Sequence, residues 1–334
     1  AAQRFDLVNA IRIATSSLTY FLPLVGIFLG YTLPGIVVLI LLGRLGALAA
    51  YILLDLRLYP ELNKYVISSD RFRPLFYFGG WVMVTSIISP ILVYLDRFLI
   101  GSIMSMAAVA YYSAPYEAVT HLRFIPSSMM MTLFPAFSSL NAVDDDRKLS
   151  TLFTRASKYV FLFLGPIILL LIIFAKEILQ IWLGAKFAAE STTVLQILAF
   201  GVLMNSLVLT PFAFLQGIGR PDLPAKFHLL ELPIHFVITW FFVSRWGIEG
   251  AAGAWTLRVT LDSLLLFGAS CKVKRITPKL LVDKSTVFVF LVLVALGSGT
   301  SILKIFVADF SLFFQSLLAV IFLALFAWFA WMIA

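Results

Sequence analysis

Long apolar runs alternate with short polar joints along this chain. The runs fall at 12–32, 35–54, 74–95, 107–138, 157–175, 193–215, 225–244, 249–270, 286–307 and 312–332. Each approaches or exceeds the ~20 residues that carry a helix across a bilayer. The period-two alternation that marks a membrane barrel does not occur. The pattern predicts an all-α polytopic membrane protein with about ten transmembrane helices. The fourth run is the longest and is interrupted by Pro115, Pro126 and Pro135. A helix broken at membrane depth is tolerated where neighbours or a wet cavity satisfy the freed carbonyls. This stretch therefore reads as a moving or ligand-lining helix. A short polar joint, with Asp96 and Arg97, is expected between the third and fourth runs.

Composition agrees with the pattern. Of the 334 residues 61% are hydrophobic and 13% charged, with a mean hydropathy of +1.01. Soluble domains average about 45–50% apolar and about 25% charged. The single Cys271 excludes an internal disulfide and a cysteine-built metal site. The net charge of +8 sits mostly between the runs. An anionic membrane surface accounts for it, and no nucleic-acid partner is expected.

The joints also predict topology. With the N-terminal side taken as inner, 17 of the 25 Lys and Arg fall on inner segments and 5 on outer ones. The other 3, Arg44, Arg123 and Arg258, lie inside runs. Cytoplasmic loops carry the excess of Lys and Arg. Both termini are therefore expected in the cytoplasm. Within the inner joint 143–158, Asp144, Asp145 and Asp146 precede Leu149, Leu152, Phe153 and Tyr159. That order predicts a short amphipathic helix on the inner membrane surface. The stretch GIGRPDLPAK at 217–226 reads as a tight turn, and GIEGAAGAW at 247–255 as a span opening with small, closely packing residues.

Charges inside the runs are the candidate chemistry, because buried charge is costly and usually faces a bundle interior. Arg44 lies about ten residues from either end of its run, where snorkelling is hardest. It is either a structural cation or a cavity group for an anion, which its planar fork can bind bidentately. Glu117 and His121 stand four apart on one helix face, either as an internal pair or with Glu117 as a proton or sodium site. Arg123 projects elsewhere. His228, Glu231 and His235 line one face, as a polar stripe, a substrate or proton path, or less plausibly a metal site that Pro233 would distort. Arg258 and Asp262 form a further i, i+4 pair that suits mutual neutralisation. Asn205 reads as interhelical glue. There is no G-x-S-x-G, P-loop or H-E-x-x-H, and the loops are too short for an enzyme domain. The chain reads as a carrier and not an enzyme, with no cofactor and no metal.

Long phrases carry a resemblance. WVMVTSIISPILVYLDRFLIGSIMSMAAVAYYSAPYEAVTHLRFIPSSMMMTLFPAFSSL resembles the start of the second lobe of bacterial polysaccharide biosynthesis transporters. IWLGAKFAAEST, VLQILAFGVLMNSLVLTPFAFLQGIGRPDLPAKFHLLEL and GIEGAAGAWTLRVTLD continue the likeness from about Gln3 to Asp283. These transporters are the O-antigen and exopolysaccharide flippases of the multidrug/oligosaccharidyl-lipid/polysaccharide exporter superfamily. The resemblance implies a partial two-lobe exporter fold. Residues 1–70 would end the N-terminal lobe with two helices, 71–272 would form the six-helix C-terminal lobe, and 273–334 would add two helices. It further implies that about four spans precede those seen.

The expected function is flipping of an undecaprenyl-pyrophosphate-linked oligosaccharide across the bacterial inner membrane by ion-coupled alternating access. A polysaccharide polymerase and chain-length machinery are the expected partners. From charge and depth, Arg44, Arg123 and Arg258 are the expected substrate-binding residues. Glu117, His121, Glu231, His235 and Asp262 are the expected ion-coupling residues. The alternative is a drug/cation antiporter of the same superfamily.

Overall fold

The structure, a computed structural model, describes residues 5–58, 69–277, 284–307, 321–322 and 324–326. Among the described residues every regular element is helical. The chain separates into two compact units, Ala1–Phe72 and Arg73–Ala334. The first contains α1 (Phe5–Phe28) and α2 (Leu33–Leu58), which pack on each other across a turn at Gly30. No side chain of α2 is buried.

The second unit carries the core. Its elements are α3 (from Ser69, in the first unit, to Ile103), α4 (Met106–Thr120), α5 (Phe124–Ala142), α6 (Asp146–Ile173), α7 (Ala175–Leu183), α8 (Ala185–Leu207), α9 (Leu209–Gly217), α10 (Asp222–Val273) and α11 (Lys284–Val307). The apolar helix α8 packs against α4, α6, α7 and α10. Many large apolar side chains on the outer faces, such as Phe236, Trp240 and Leu264, remain exposed. Exposed apolar faces of this extent, on helices long enough to cross, make this a multi-pass membrane protein.

The predicted runs recur as helices, with two corrections. First, α3 continues past the expected joint, so Asp96 and Arg97 are intrahelical. The turn falls instead at Met104–Ser105, where the Ser105 hydroxyl accepts from the Ala108 N–H at 3.1 Å and caps α4. Second, the expected surface helix at 143–158 is the first half of a continuous α6. Asp145 caps it by accepting from the Lys148 N–H at 3.1 Å, and Leu149 and Phe153 are fully buried in the core. Runs 225–244 and 249–270 recur as the two halves of α10, folded back at Gly247 (φ 59°, ψ −136°). Glycine suits that conformation because a Cβ would strain it. The tenth run lies mostly outside the described residues, although Phe322 and Phe326 are buried beside Val289 and Leu293.

The long fourth run breaks once, and the expected interruptions at Pro115 and Pro135 do not occur, since both prolines lie inside the helices α4 and α5. A single 3₁₀ turn, His121–Arg123, separates α4 from α5. Pro126 has no N–H to continue the ladder at the start of α5. Pro115 likewise leaves the Tyr111 carbonyl without its i+4 donor. The Ser191 hydroxyl of α8 donates to that carbonyl at 2.8 Å. A helix break is thus repaired by a neighbour, as apolar surroundings demand.

Candidate functional site

The fold draws six elements around a cavity of about 200 Å³. Its charged and polar lining comprises Tyr116 of α4, Arg123 of the 3₁₀ turn, Asn205 of α8, and His228, Trp255, Arg258 and Asp262 of α10. Ser89, Leu92 and Val93 of α3, Val208 between α8 and α9, and Leu209 and Phe212 of α9 complete the wall. The 3₁₀ break is what places Arg123 here, at the point where α4 turns into α5. Trp255 is 1% exposed and meets the Tyr116 ring edge to face at 5.3 Å. Such a pair contributes about 0.5–1.5 kcal/mol beyond area burial and fixes both rings.

The residues that line the cavity leave several polar atoms unused, among them the acceptor oxygens Oδ1 of Asn205 and Asp262. The Nε atoms of Arg123 and Arg258, Nε1 of Trp255 and Nδ1 of His228 are buried without a hydrogen-bond partner. Buried polar groups are normally paired, so a cluster of orphans in one cavity points to a polar ligand. Two guanidinium groups and an indole N–H suit an anion with several oxygens. Asn205 corrects the sequence reading: its Oδ1 is buried without a partner and lines the cavity, so that oxygen ties no helices together.

The turn at Gly247 lays the two halves of α10 side by side, antiparallel. Arg258 Nη1 lies 3.4 Å from Glu231 Oε2, and His228 Nε2 lies 3.7 Å from Asp262 Oδ2. The expected i, i+4 pairing of Arg258 with Asp262 is therefore replaced by two contacts across the hairpin. His228, Glu231 and Asp262 each bring a ligand atom within 4.8 Å of the others. His235 does not join them, so the stripe seen in sequence diverges.

His235 instead meets Asp96. Its Nε2 lies 3.0 Å from Asp96 Oδ1, the Tyr112 hydroxyl donates to Asp96 Oδ2 at 3.0 Å, and Thr239 Oγ1 lies 3.2 Å from His235 Nδ1. Asp96 is completely buried. Sequence reasoning missed it by treating it as part of a joint. The available signal was an acid followed by an arginine with apolar residues on both sides.

The remaining expected site residues lie elsewhere. Glu117 is exposed and pairs with Arg97 at 2.6 Å rather than with His121. Arg97 also stacks over the Tyr116 ring at 4.4 Å, next to the cavity wall. His121 is exposed in the 3₁₀ turn. Arg44 is exposed on α2, within the first unit.

With this geometry in hand, comparison with known proteins decides the family. Residues 2–191 match the family described as polysaccharide biosynthesis protein. The chain belongs to that family. Within it and around it, relatives have telling names. A protein from Shigella flexneri named as an O-antigen transporter is 32% identical over 79% of this chain and 62% of its own. The low-salt glycan biosynthesis flippase Agl15 of Haloferax volcanii is 22% identical over 59% of this chain and 42% of its own. The chain thus spans less than two thirds of these relatives. Two solved structures share the fold. A MATE mutant superposes with a TM-score of 0.66 at 14% identity, covering 80% of this chain and 61% of that one. The lipid II flippase MurJ, inward closed, superposes with a TM-score of 0.61 at 17% identity, covering 94% and 66%. The resemblance read from the sequence holds, and the fold is that of these exporters.

Proposed function

We propose that this family member acts in flipping a lipid-linked oligosaccharide, an undecaprenyl-pyrophosphate conjugate, from the cytoplasmic to the outer leaflet of the bacterial inner membrane. The observation that carries the reading is the pair Arg123 and Arg258, facing one buried cavity with Nε donors unused. A sugar head and a pyrophosphate cannot cross hydrocarbon unaided, so the carrier must offer a cationic, hydrogen-bonding interior. Arg123 and Arg258 hold the pyrophosphate in this reading, while Arg44, the third cation expected from the sequence, stands exposed on α2. Residues 1–70 end one lobe, 71–272 form the other, and 273–334 add two helices. The lobes rock in alternating access. Polymerase and chain-length machinery receive the product.

Ion coupling belongs to the same proposal. Glu231, Asp262 and His228 form a compact titratable cluster beside the anion site, and His235 with Asp96 forms another. Glu117 and His121 are the weaker candidates, because both are exposed. Orientation is supported by two contacts. Lys274 meets Asp146 at 2.8 Å, joining segments that the charge count puts inside. Lys304 meets Glu177 at 2.8 Å, joining segments that it puts outside. The drug/cation antiporter reading is disfavoured, because each of the two acids of the hairpin already faces a basic group, Glu231 facing Arg258 and Asp262 facing His228.

The test is made in the native host. Deletion should trap completed lipid-linked units on the cytoplasmic leaflet, and re-expression should release them. Arg258→Gln and Arg123→Gln, expressed at normal level, should each leave them trapped. Normal delivery by both variants would remove the anion-site reading.

A further inference from the structure

The two cavity arginines differ in one respect. Among the described residues, Arg123 has no carboxylate within ion-pair distance, whereas Arg258 has Glu231. The Arg258–Glu231 contact is incomplete. At 3.4 Å it is longer than the 2.7–2.9 Å typical of charge-assisted bonds. Only one guanidinium nitrogen takes part. Arg258 Nε and Glu231 Oε1 both remain buried and unpartnered. Both side chains are about nine-tenths buried, at 10% and 9% exposure. Solvent therefore completes neither half of the pair. A bidentate fork is engaged through a single long contact by an acid that stands at the edge of its reach.

We propose that Glu231 is an internal stand-in for the substrate phosphate, and that loading exchanges one anion for the other on Arg258. This rests on the reading of the cavity as an anion site. In the empty cavity Glu231 neutralises Arg258, which would otherwise be a buried, uncompensated cation. An arriving phosphate offers two or more oxygens in line with the guanidinium fork and wins the exchange. Glu231 then turns back to the other groups that face it, His228 on its own helix half and Asp262 on the opposite one. On release it takes Arg258 again. Arg258 is therefore never left without a counter-charge, whichever way the carrier faces. Arg123, unopposed, is the constant part of the site. Arg258 is the exchangeable part. Position supports the division: Glu231 and Arg258 sit on the two halves of one hairpin, so the exchange needs only rotamer changes and no movement of α3 or α4.

The exchange makes Glu231 a competitor of the substrate, and competition is measurable. The purified protein in nanodiscs is titrated with inorganic pyrophosphate. Glu231→Gln, nearly isosteric and uncharged, should bind about tenfold more tightly than the parent, a coupling typical of contacting charged groups. Glu231→Asp, which withdraws the carboxylate by one methylene, should fall between them and carries the test if the Gln variant does not fold. Arg258→Gln should bind more weakly. In that background, adding Glu231→Gln should change affinity less than twofold, because the contested cation is gone. If Arg123→Gln and Arg258→Gln both bind as the parent does, the cavity reading itself fails. If those two weaken binding but neither Glu231 variant tightens it, the cavity stands and the exchange is wrong.

Discussion

Asp96 and His235 meet at 3.0 Å in the interior, one from α3 and one from α10, with side chains 0% and 1% exposed. Tyr112 and Thr239 close the group on either side. Removing one partner of such a pair leaves a polar group stranded in low dielectric, at a cost of about 3–5 kcal/mol. Asp96→Ala and His235→Ala should therefore each lower the unfolding temperature sharply in detergent. The double variant should cost clearly less than both losses added together. Strict additivity would mean that the two groups do not depend on each other.

Gly201 of α8 faces Trp255. A Cβ there would meet Trp255 Cζ3 at 2.5 Å and Thr256 Oγ1 at 2.6 Å. The indole is held on its other face by Tyr116 and cannot retreat. Overpacking of this kind costs about 1–3 kcal/mol. Gly201→Ala should therefore destabilise the protein and also weaken anion binding, since the displaced ring lines the cavity. Gly201→Ala combined with Trp255→Leu should recover stability but not binding. Thermal melts and pyrophosphate titrations on the same preparations separate the two effects.

Asp145, outside the membrane span, gives a pH-dependent contribution. The Lys148 side chain and then its N–H hydrogen-bond the carboxylate and hold it below its ordinary value. A carboxylate depressed in the folded state stabilises above the unfolded value of about 4 and loses that effect as pH falls through the folded value. The melting difference between the parent and Asp145→Ala should be constant near neutrality and narrow below about pH 4. For Asp145→Asn, which keeps an uncharged cap, the difference from Asp145→Ala should not vary with pH. A parent difference that persists unchanged at low pH would show that the charge plays no part.

These cases show what the sequence made legible. Helix positions followed from apolar length alone, and of the three prolines expected to interrupt the fourth run only Pro126 lies next to the break, at His121–Arg123. That Arg123 and Arg258 are withdrawn from the surface, each half-buried, followed from their depth in apolar runs. Partners did not follow. Periodicity relates a residue only to its own helix, so it paired Arg258 with Asp262 and Glu117 with His121. The actual neighbours, Glu231 and Arg97, come from other segments, once the chain has turned at Gly247 or at Met104–Ser105. Asp96 was misplaced for a related reason. A local drop in hydropathy looks the same whether it marks a loop or a buried charge whose partner lies elsewhere in the chain. Continuity of α6 was hidden likewise, since the amphipathic first half changes character only because Leu149 and Phe153 enter the core.

Pro115 and Ser191 join these two levels, because a sequence feature creates the need and a distant residue meets it. Pro115 withholds the donor for the Tyr111 carbonyl, and Ser191, itself fully buried, supplies one at 2.8 Å. An unsatisfied buried carbonyl costs about 1–3 kcal/mol. Ser191→Ala should lower stability by roughly that amount. Pro115→Ala restores the backbone N–H, so in that background Ser191→Ala should cost much less. The cycle of four proteins, followed by thermal unfolding in one detergent, measures the coupling directly. Equal costs of Ser191→Ala with and without Pro115 would show that the hydroxyl serves packing and not the carbonyl. A large coupling would establish that α8 is what allows a proline in this helix.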